Sequence, residues 1–304
     1  MSGPRAPSQA EPADHPLRAA MARGDRLHAR SSPALHRLLA VEDHSLLGEA
    51  VVAQVGGMLA DLSRQLLATD GREVDTATSA ALAARLAESE ALRDHCHALA
   101  LEWRLALGLE AERALDPVLS PLIQSLVAGI PAETSALAMA ALGAQARFAQ
   151  AQRRMALPLG ELPAELFHAA LLILRNALPG EPEGREARLR RDYEEGSGRL
   201  ALLGRLAGET GDLLGGAALA VEEAGVALWL SVLAIRTGET RERTIFAASD
   251  RELGRLMLAL RAAGAAPAEA ERQALMIRPD AQLPRGLHDV GTREAAQWLA
   301  EARR

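Results

Sequence analysis

The sequence predicts an all-α fold, and three observations carry that expectation. Hydrophobic residues make up 49% of the 304-residue chain but aromatic residues only 2%. The core must therefore be built from leucine, alanine, valine and methionine, which suit closely packed helices better than sandwiches or barrels. From Pro33 onward apolar residues recur at three- and four-residue steps, the spacing that lays one stripe along a helix. Strand-like alternation is absent throughout. The pattern reads as about ten to twelve roughly antiparallel helices with short connections, a multi-helix array or an irregular bundle. Helix pairs recur at roughly 35 to 45 residues, so a HEAT-like solenoid is one form such an array can take.

Residues 1–30 combine Pro4, Pro7, Pro12 and Pro16 with scattered charges and little periodicity, and read as a disordered tail. The first long helix is expected from about Ser45 to Ala68. Leu47, Val51, Val55, Leu59, Leu62 and Leu66 share one of its faces, and Asp70-Gly71 ends it. Asp75 or Thr76 caps a second helix through Ala87, and a third carries Leu92, Cys96, Leu99 and Trp103 on its buried stripe. Asp116-Pro117 and Ser120-Pro121 break the chain, because proline disfavours the α conformation in the residue before it. Pro131 then opens a helix to about Met155. Its core side is Leu137, Ala141, Ala144, Phe148 and Met155, while Arg147, Gln150 and Arg154 lie on another side. Pro158 stops it, and Pro163 at a first-turn position starts the helix through Ala177.

Pro179, Gly180, Pro182 and Gly184 form the clearest interior linker. They divide the expected organisation into an N-terminal helical domain over 31–178 and a C-terminal one over 185–304, unless the two run on as one continuous array. Glu183 to Tyr193 alternates glutamate and arginine at helical spacing, as a solvated face laced with ion pairs does. Leu200 to Ile235 is rich in glycine and alanine, which lets backbones approach closely. Ser249 and Glu252 read as a capping box for the helix carrying Leu253, Leu256, Met257 and Leu260, which Gly264 ends. Pro267 opens a short helix to about Met276, and the last helix runs from Thr292 to Ala302.

All 34 basic residues are arginine. Without lysine there is no Walker A loop, no pyridoxal Schiff base and no protein-kinase lysine. A GC-rich genome, which favours arginine and alanine codons, accounts for that bias. The net charge of −6 gives no long-range attraction to a phosphate backbone, so no nucleic-acid partner is expected. Cys96 stands alone, which excludes an intrachain disulfide framework and fits a reducing cytoplasm. Ala224 to Ile235 is the most membrane-like stretch, but it falls well short of the ~20 apolar residues a bilayer span needs. It reads as a buried helix, and no membrane partner is expected.

Four constellations invite a chemical reading. Asp94-His95-Cys96-His97 offers zinc-type ligands, yet on a helix His95 and His97 point about 200° apart. Cys96 shares the apolar stripe, so a buried, inert thiol between two partly exposed histidines is the better reading. Glu165 and His168 have the spacing of di-iron bundles, but a second such pair is missing from the sequence, and Glu165 in a first helical turn is favourable to the helix dipole without any ligand. His288-Asp289 lacks the later aspartate that a metal-dependent phosphohydrolase requires. Gly196, Gly198 and Ala201 fit a relaxed nucleotide fingerprint, which has meaning only after a strand. His28, His36 and His44 match no ligand pattern. No catalytic residue is assigned, and neither a metal nor a cofactor is expected.

Two stretches carry a resemblance. Leu142 through Leu171, containing Gln145-Ala146-Arg147-Phe148 and Leu159-Gly160-Glu161-Leu162-Pro163, and the hairpin from Ser249 to Leu275 resemble an uncharacterised HEAT-like helical domain family of alphaproteobacteria. The resemblance covers under half of the chain and implies a bacterial helical interaction protein, with no catalytic residues to carry over. The expected function is accordingly a non-catalytic helical protein–protein interaction or scaffold module with a protein partner. The rival expectation is a cryptic all-α enzyme that binds a metal or small ligand through groups such as His95, Glu165 and His168.

Overall fold

The computed structural model describes residues 15–39, 48–68, 74–129, 131–178, 183–210, 215–250 and 253–303. Among them the chain forms fourteen α-helices, four short 3-10 helices and no strand. The helices are α1 (Pro16–Leu39), α2 (Glu49–Leu67), α3 (Thr76–Glu88), α4 (Glu90–Arg113), α5 (Pro121–Val127), α6 (Ala132–Gln152) and α7 (Ala164–Ala177), followed by α8 (Glu183–Asp192), α9 (Arg199–Thr210), α10 (Val221–Thr237), α11 (Arg241–Ser249), α12 (Gly254–Ala262), α13 (Pro267–Ile277) and α14 (Thr292–Glu301). The all-α reading holds, with more helices than expected, and the periodic stripes mark the core faces. Val51, Val55, Leu59, Leu62 and Leu66 of α2 are buried, as are Leu92, Cys96, Leu99 and Trp103 of α4. Caps sit where short polar residues announce them. Asp75 accepts from the Thr78 amide at the start of α3, and Ser120 accepts from the Ile123 amide ahead of Pro121.

The helices group into two compact units, one of the chain up to Ala29 together with Ala247 onward, the other of Arg30–Phe246. This differs from the expected boundary at 179–184. Residues 179–182 lie outside the described ones, but α8 and α9 beyond them belong to the same unit as α2 to α7. The reason is packing: α9 lies against α6, and Arg188 of α8 donates to the Ala68 carbonyl at 2.7 Å. A proline–glycine run ends a helix without separating the cores on either side of it.

In the larger unit α2 packs on α3 and α4, α6 on α5 and α9, and α10 on α5 and α9. Pairing that skips along the chain in this way is the pattern of an irregular bundle. Gln54 of α2 donates to the Gln152 carbonyl and side-chain oxygen of α6, both at 2.8 Å and both buried. Gln65 donates to the Leu157 carbonyl. These bonds turn the chain after α6, and Met155 leaves the helix with φ 53° and 45% exposure, against its expected place in the core. Gly57 makes the turn possible, because a Cβ there would come within 2.5 Å of Met155 Cβ.

The smaller unit is built around α12, whose residues Gly254 to Leu260 are all buried against α13, α14 and the first part of α1. The segment expected as an unstructured tail therefore contains α1 from Pro16 on, with Leu17, Ala20 and Met21 buried; residues 1–14 lie outside the described ones. Proline is compatible with a first helical turn, and three apolar side chains too sparse to show a period still meet a complete surface. Gly254 touches Ala20 so closely that a Cβ would sit 2.6 Å from the Ala20 Cβ, and buried Arg255 is bidentate on Asp25 at 2.8 and 2.6 Å. Arg18 lies 4.5 Å over the Trp298 ring and pairs with Glu301. The expected capping box is not formed, since Ser249 ends α11, Leu253 precedes α12 in the left-handed region and Glu252 lies outside the described residues.

Candidate functional site

The chemically densest place in the larger unit is a buried ion cluster that no sequence pattern announced. Glu102 of α4, 2% exposed, accepts from Arg199 at 2.7 and 3.1 Å and from Arg241 at 2.6 and 2.8 Å. Arg199 opens α9 and Arg241 opens α11. The Arg199 guanidinium also donates to the Gln145 side chain and lies 3.6 Å from the centre of the Phe148 ring, both on α6. Arg241 reaches Ser231 and the Ala227 carbonyl of α10. Five helices thus meet on one carboxylate. Burial alone pushes that carboxyl up, but the two guanidinium charges and their hydrogen bonds outweigh it and hold Glu102 well below the usual carboxylate range. Charge-assisted pairs of this geometry fix orientation. The only sequence signal was a glutamate one residue from the Trp103 stripe.

Beside the cluster lies a small cleft with about 20 Å³ of interior space. Ser120, Gln145, Gly225 and Ala227 are among its walls. Gly225 breaks α10 with φ 70° and ψ 155°, so the expected continuous apolar helix is a single turn followed by Val226–Thr237. A Cβ at Gly225 would meet Ser120 Cβ at 2.9 Å, so glycine is required by conformation and space together. Trp229 on the following turn is fully buried and donates to the Leu219 carbonyl at 2.9 Å.

His95 departs from the expected partial exposure. It is 2% exposed, with Nδ1 3.3 Å from Glu242 Oε1 of α11 and Nε2 without a partner among the described residues. The hydrogen bond from His95 is the main reason Glu242 sits below the ordinary carboxylate range. His97 packs edge-on to Phe246 with ring centres 5.2 Å apart, so both imidazoles reach α11, one turn apart at Glu242 and Phe246. Cys96 is buried, and burial pushes its thiol up to about 12.

The remaining candidates stay apart. Glu165 and His168 are exposed on α7, with His168 3.4 Å from Arg190. His288 is paired with Glu271 in the smaller unit. Gly196 and Gly198 follow the helix α8, not a strand. His44 lies outside the described residues, as does the side chain of His36. Among the described residues no group of three or more histidine, cysteine or acidic side chains is placed to hold a metal ion, and no helix is long and apolar enough to cross a membrane.

The class that fold and site define is an all-helical protein whose ionic cluster braces its core. No protein-family model matches the chain, and neither a curated protein nor a solved structure is significantly similar to it.

Proposed function

We propose that the chain is a non-catalytic helical interaction module that engages a protein partner through the outward face of α6. The observation that carries the reading is Met139, 53% exposed at the middle of that helix. Ala136 and Ala140 are exposed on the same face. An unbranched, adaptable side chain among small residues suits a surface that a partner's helix approaches closely. Both oxygens of the Glu102 carboxylate are taken up by Arg199 and Arg241, as those of a bracing group are. A cytoplasmic setting belongs to the same proposal and is supported by the lone, reduced thiol. The net charge of −6 favours a protein over a nucleic acid as the partner.

Capture from a lysate by the tagged chain tests the reading, with Met139→Arg as the probe and Met155→Arg, outside α6, as the control. Proteins held by the wild type and the control but lost from Met139→Arg support it. An identical set from all three overturns it.

A second reading, a small-ligand site with catalytic potential, draws on the cleft beside Gly225 and on the unpartnered Nε2 of His95. Metal and small-molecule analysis of protein purified without chelator tests it, and a stoichiometric metal or ligand would replace the interaction reading.

A further inference from the structure

We propose that the partner on the α6 face is a second copy of this chain, paired antiparallel about a two-fold axis at Ala140. The inference rests on the interaction reading above and names its occupant.

The face runs the length of α6. Glu133, Ala136, Ala140, Arg147 and Gln150 are exposed and Gly143 is half-buried, at steps of three and four, about 100° round the helix from the buried stripe of Leu137, Ala141, Ala144 and Phe148. Met139 flanks it on one side. These steps repeat every seven residues, the spacing that keeps one seam against a partner helix. Small side chains at the centre let two helix axes come close.

Charge, more than the small residues, selects the occupant. The face ends in a carboxylate at Glu133 and a guanidinium at Arg147, and neither has a hydrogen-bond or ion-pair partner among the described residues. Arg147 lies back over Gly143, its Nη1 3.5 Å from where a Cβ would stand. Both residues are seven positions from Ala140, their Cα atoms roughly 10 Å along the helix in opposite directions. A copy turned by two-fold symmetry about Ala140 therefore sets each Glu133 opposite the other copy's Arg147, twice over. A parallel pairing would set like charges against each other. Isologous interfaces of this kind are the commonest route to a homodimer.

One helix face is a small interface, so the dimer should dissociate at concentrations on the order of 10–100 µM. Sedimentation velocity over a concentration series reads this directly. The wild type should show reversible dimer that weakens with salt. Glu133→Arg and Arg147→Glu should each raise the dissociation constant about tenfold or more, since each change replaces two attractions by two repulsions. The double variant Glu133→Arg with Arg147→Glu should return to within a few-fold of wild type. Ala140→Cys, on the axis, should form a disulfide with its own symmetry mate under a mild copper–phenanthroline oxidant, while Ala132→Cys should not.

A chain that stays monomeric throughout the series overturns the proposal, as does a dimer indifferent to Glu133→Arg or one that the double variant fails to restore. If the chain is monomeric while Met139→Arg still strips a captured protein, self-pairing fails and the interaction reading stands.

Discussion

The Arg199 guanidinium is bidentate on Glu102, at 2.7 and 3.1 Å, with both side chains almost fully withdrawn from solvent. Arg241 takes the remaining valence of the same carboxylate. Glu102→Ala leaves two guanidinium groups without their counter-charge in the interior, and the expected loss is about 3–5 kcal/mol. Urea unfolding measures it, and a loss under about 1 kcal/mol would show the cluster to be incidental. The pH dependence has a definite sign. The folded carboxyl titrates below its unfolded value, near 4.3, so its stabilisation is whole above that range and fades as the pH falls through and below it. Glu102→Gln, weaker than wild type at pH 7, should lose less melting temperature than wild type between about pH 5 and pH 2.

Cys96 should be chemically silent in the native protein. It is buried, and its thiol is pushed up to about 12, so the thiolate that attacks a disulfide reagent is scarce at pH 8. Reaction with an aromatic disulfide should follow global unfolding, accelerating with denaturant. Stoichiometric labelling within the mixing time of native protein would contradict the placement of α4.

Two glycines should respond in opposite directions to the same substitution. Gly225→Ala forces an L side chain into φ 70° and against Ser120 at 2.9 Å, and should cost about 1–3 kcal/mol. Gly208 is exposed within α9, and a Cβ added there would meet nothing within 4 Å, so its change to alanine should gain about 0.5–1 kcal/mol. Thermal unfolding of the two variants side by side checks both signs.

Removing residues up to Ala29 should loosen the smaller unit. Gly254 would lose its contact with Ala20, Arg255 its bidentate partner Asp25, and Trp298 its covering Arg18. Amide exchange should accelerate across α12 and α14, and unchanged protection there would mean that α1 adds nothing to that core.

The sequence made the helices legible where an apolar stripe stands out, as in α2 and α4, or where a cap is plain, as at Asp75 of α3. It failed where a segment borrows its order from distant residues. Leu17, Ala20 and Met21 make no visible stripe, yet α12, more than two hundred positions later, supplies the surface they cover. The break at Gly225 was hidden for a related reason, since the run from Ala224 to Ile235 looks continuous and only Ser120 shows why a glycine stands there. The ion cluster was invisible because Glu102, Arg199 and Arg241 are ordinary charged residues far apart in the chain. Burial of His95 depends on Glu242 in the same way.

Coverage of the outward face of α6 in the engaged protein is open to direct test. Methionine-oxidation footprinting of the chain, concentrated or inside cells, compares Met139, 53% exposed, with Met155, 45% exposed. Met139 should be protected relative to Met155, and dilution of the purified protein should remove the difference. Equal oxidation of the two side chains under every condition would contradict the proposed engagement of that face.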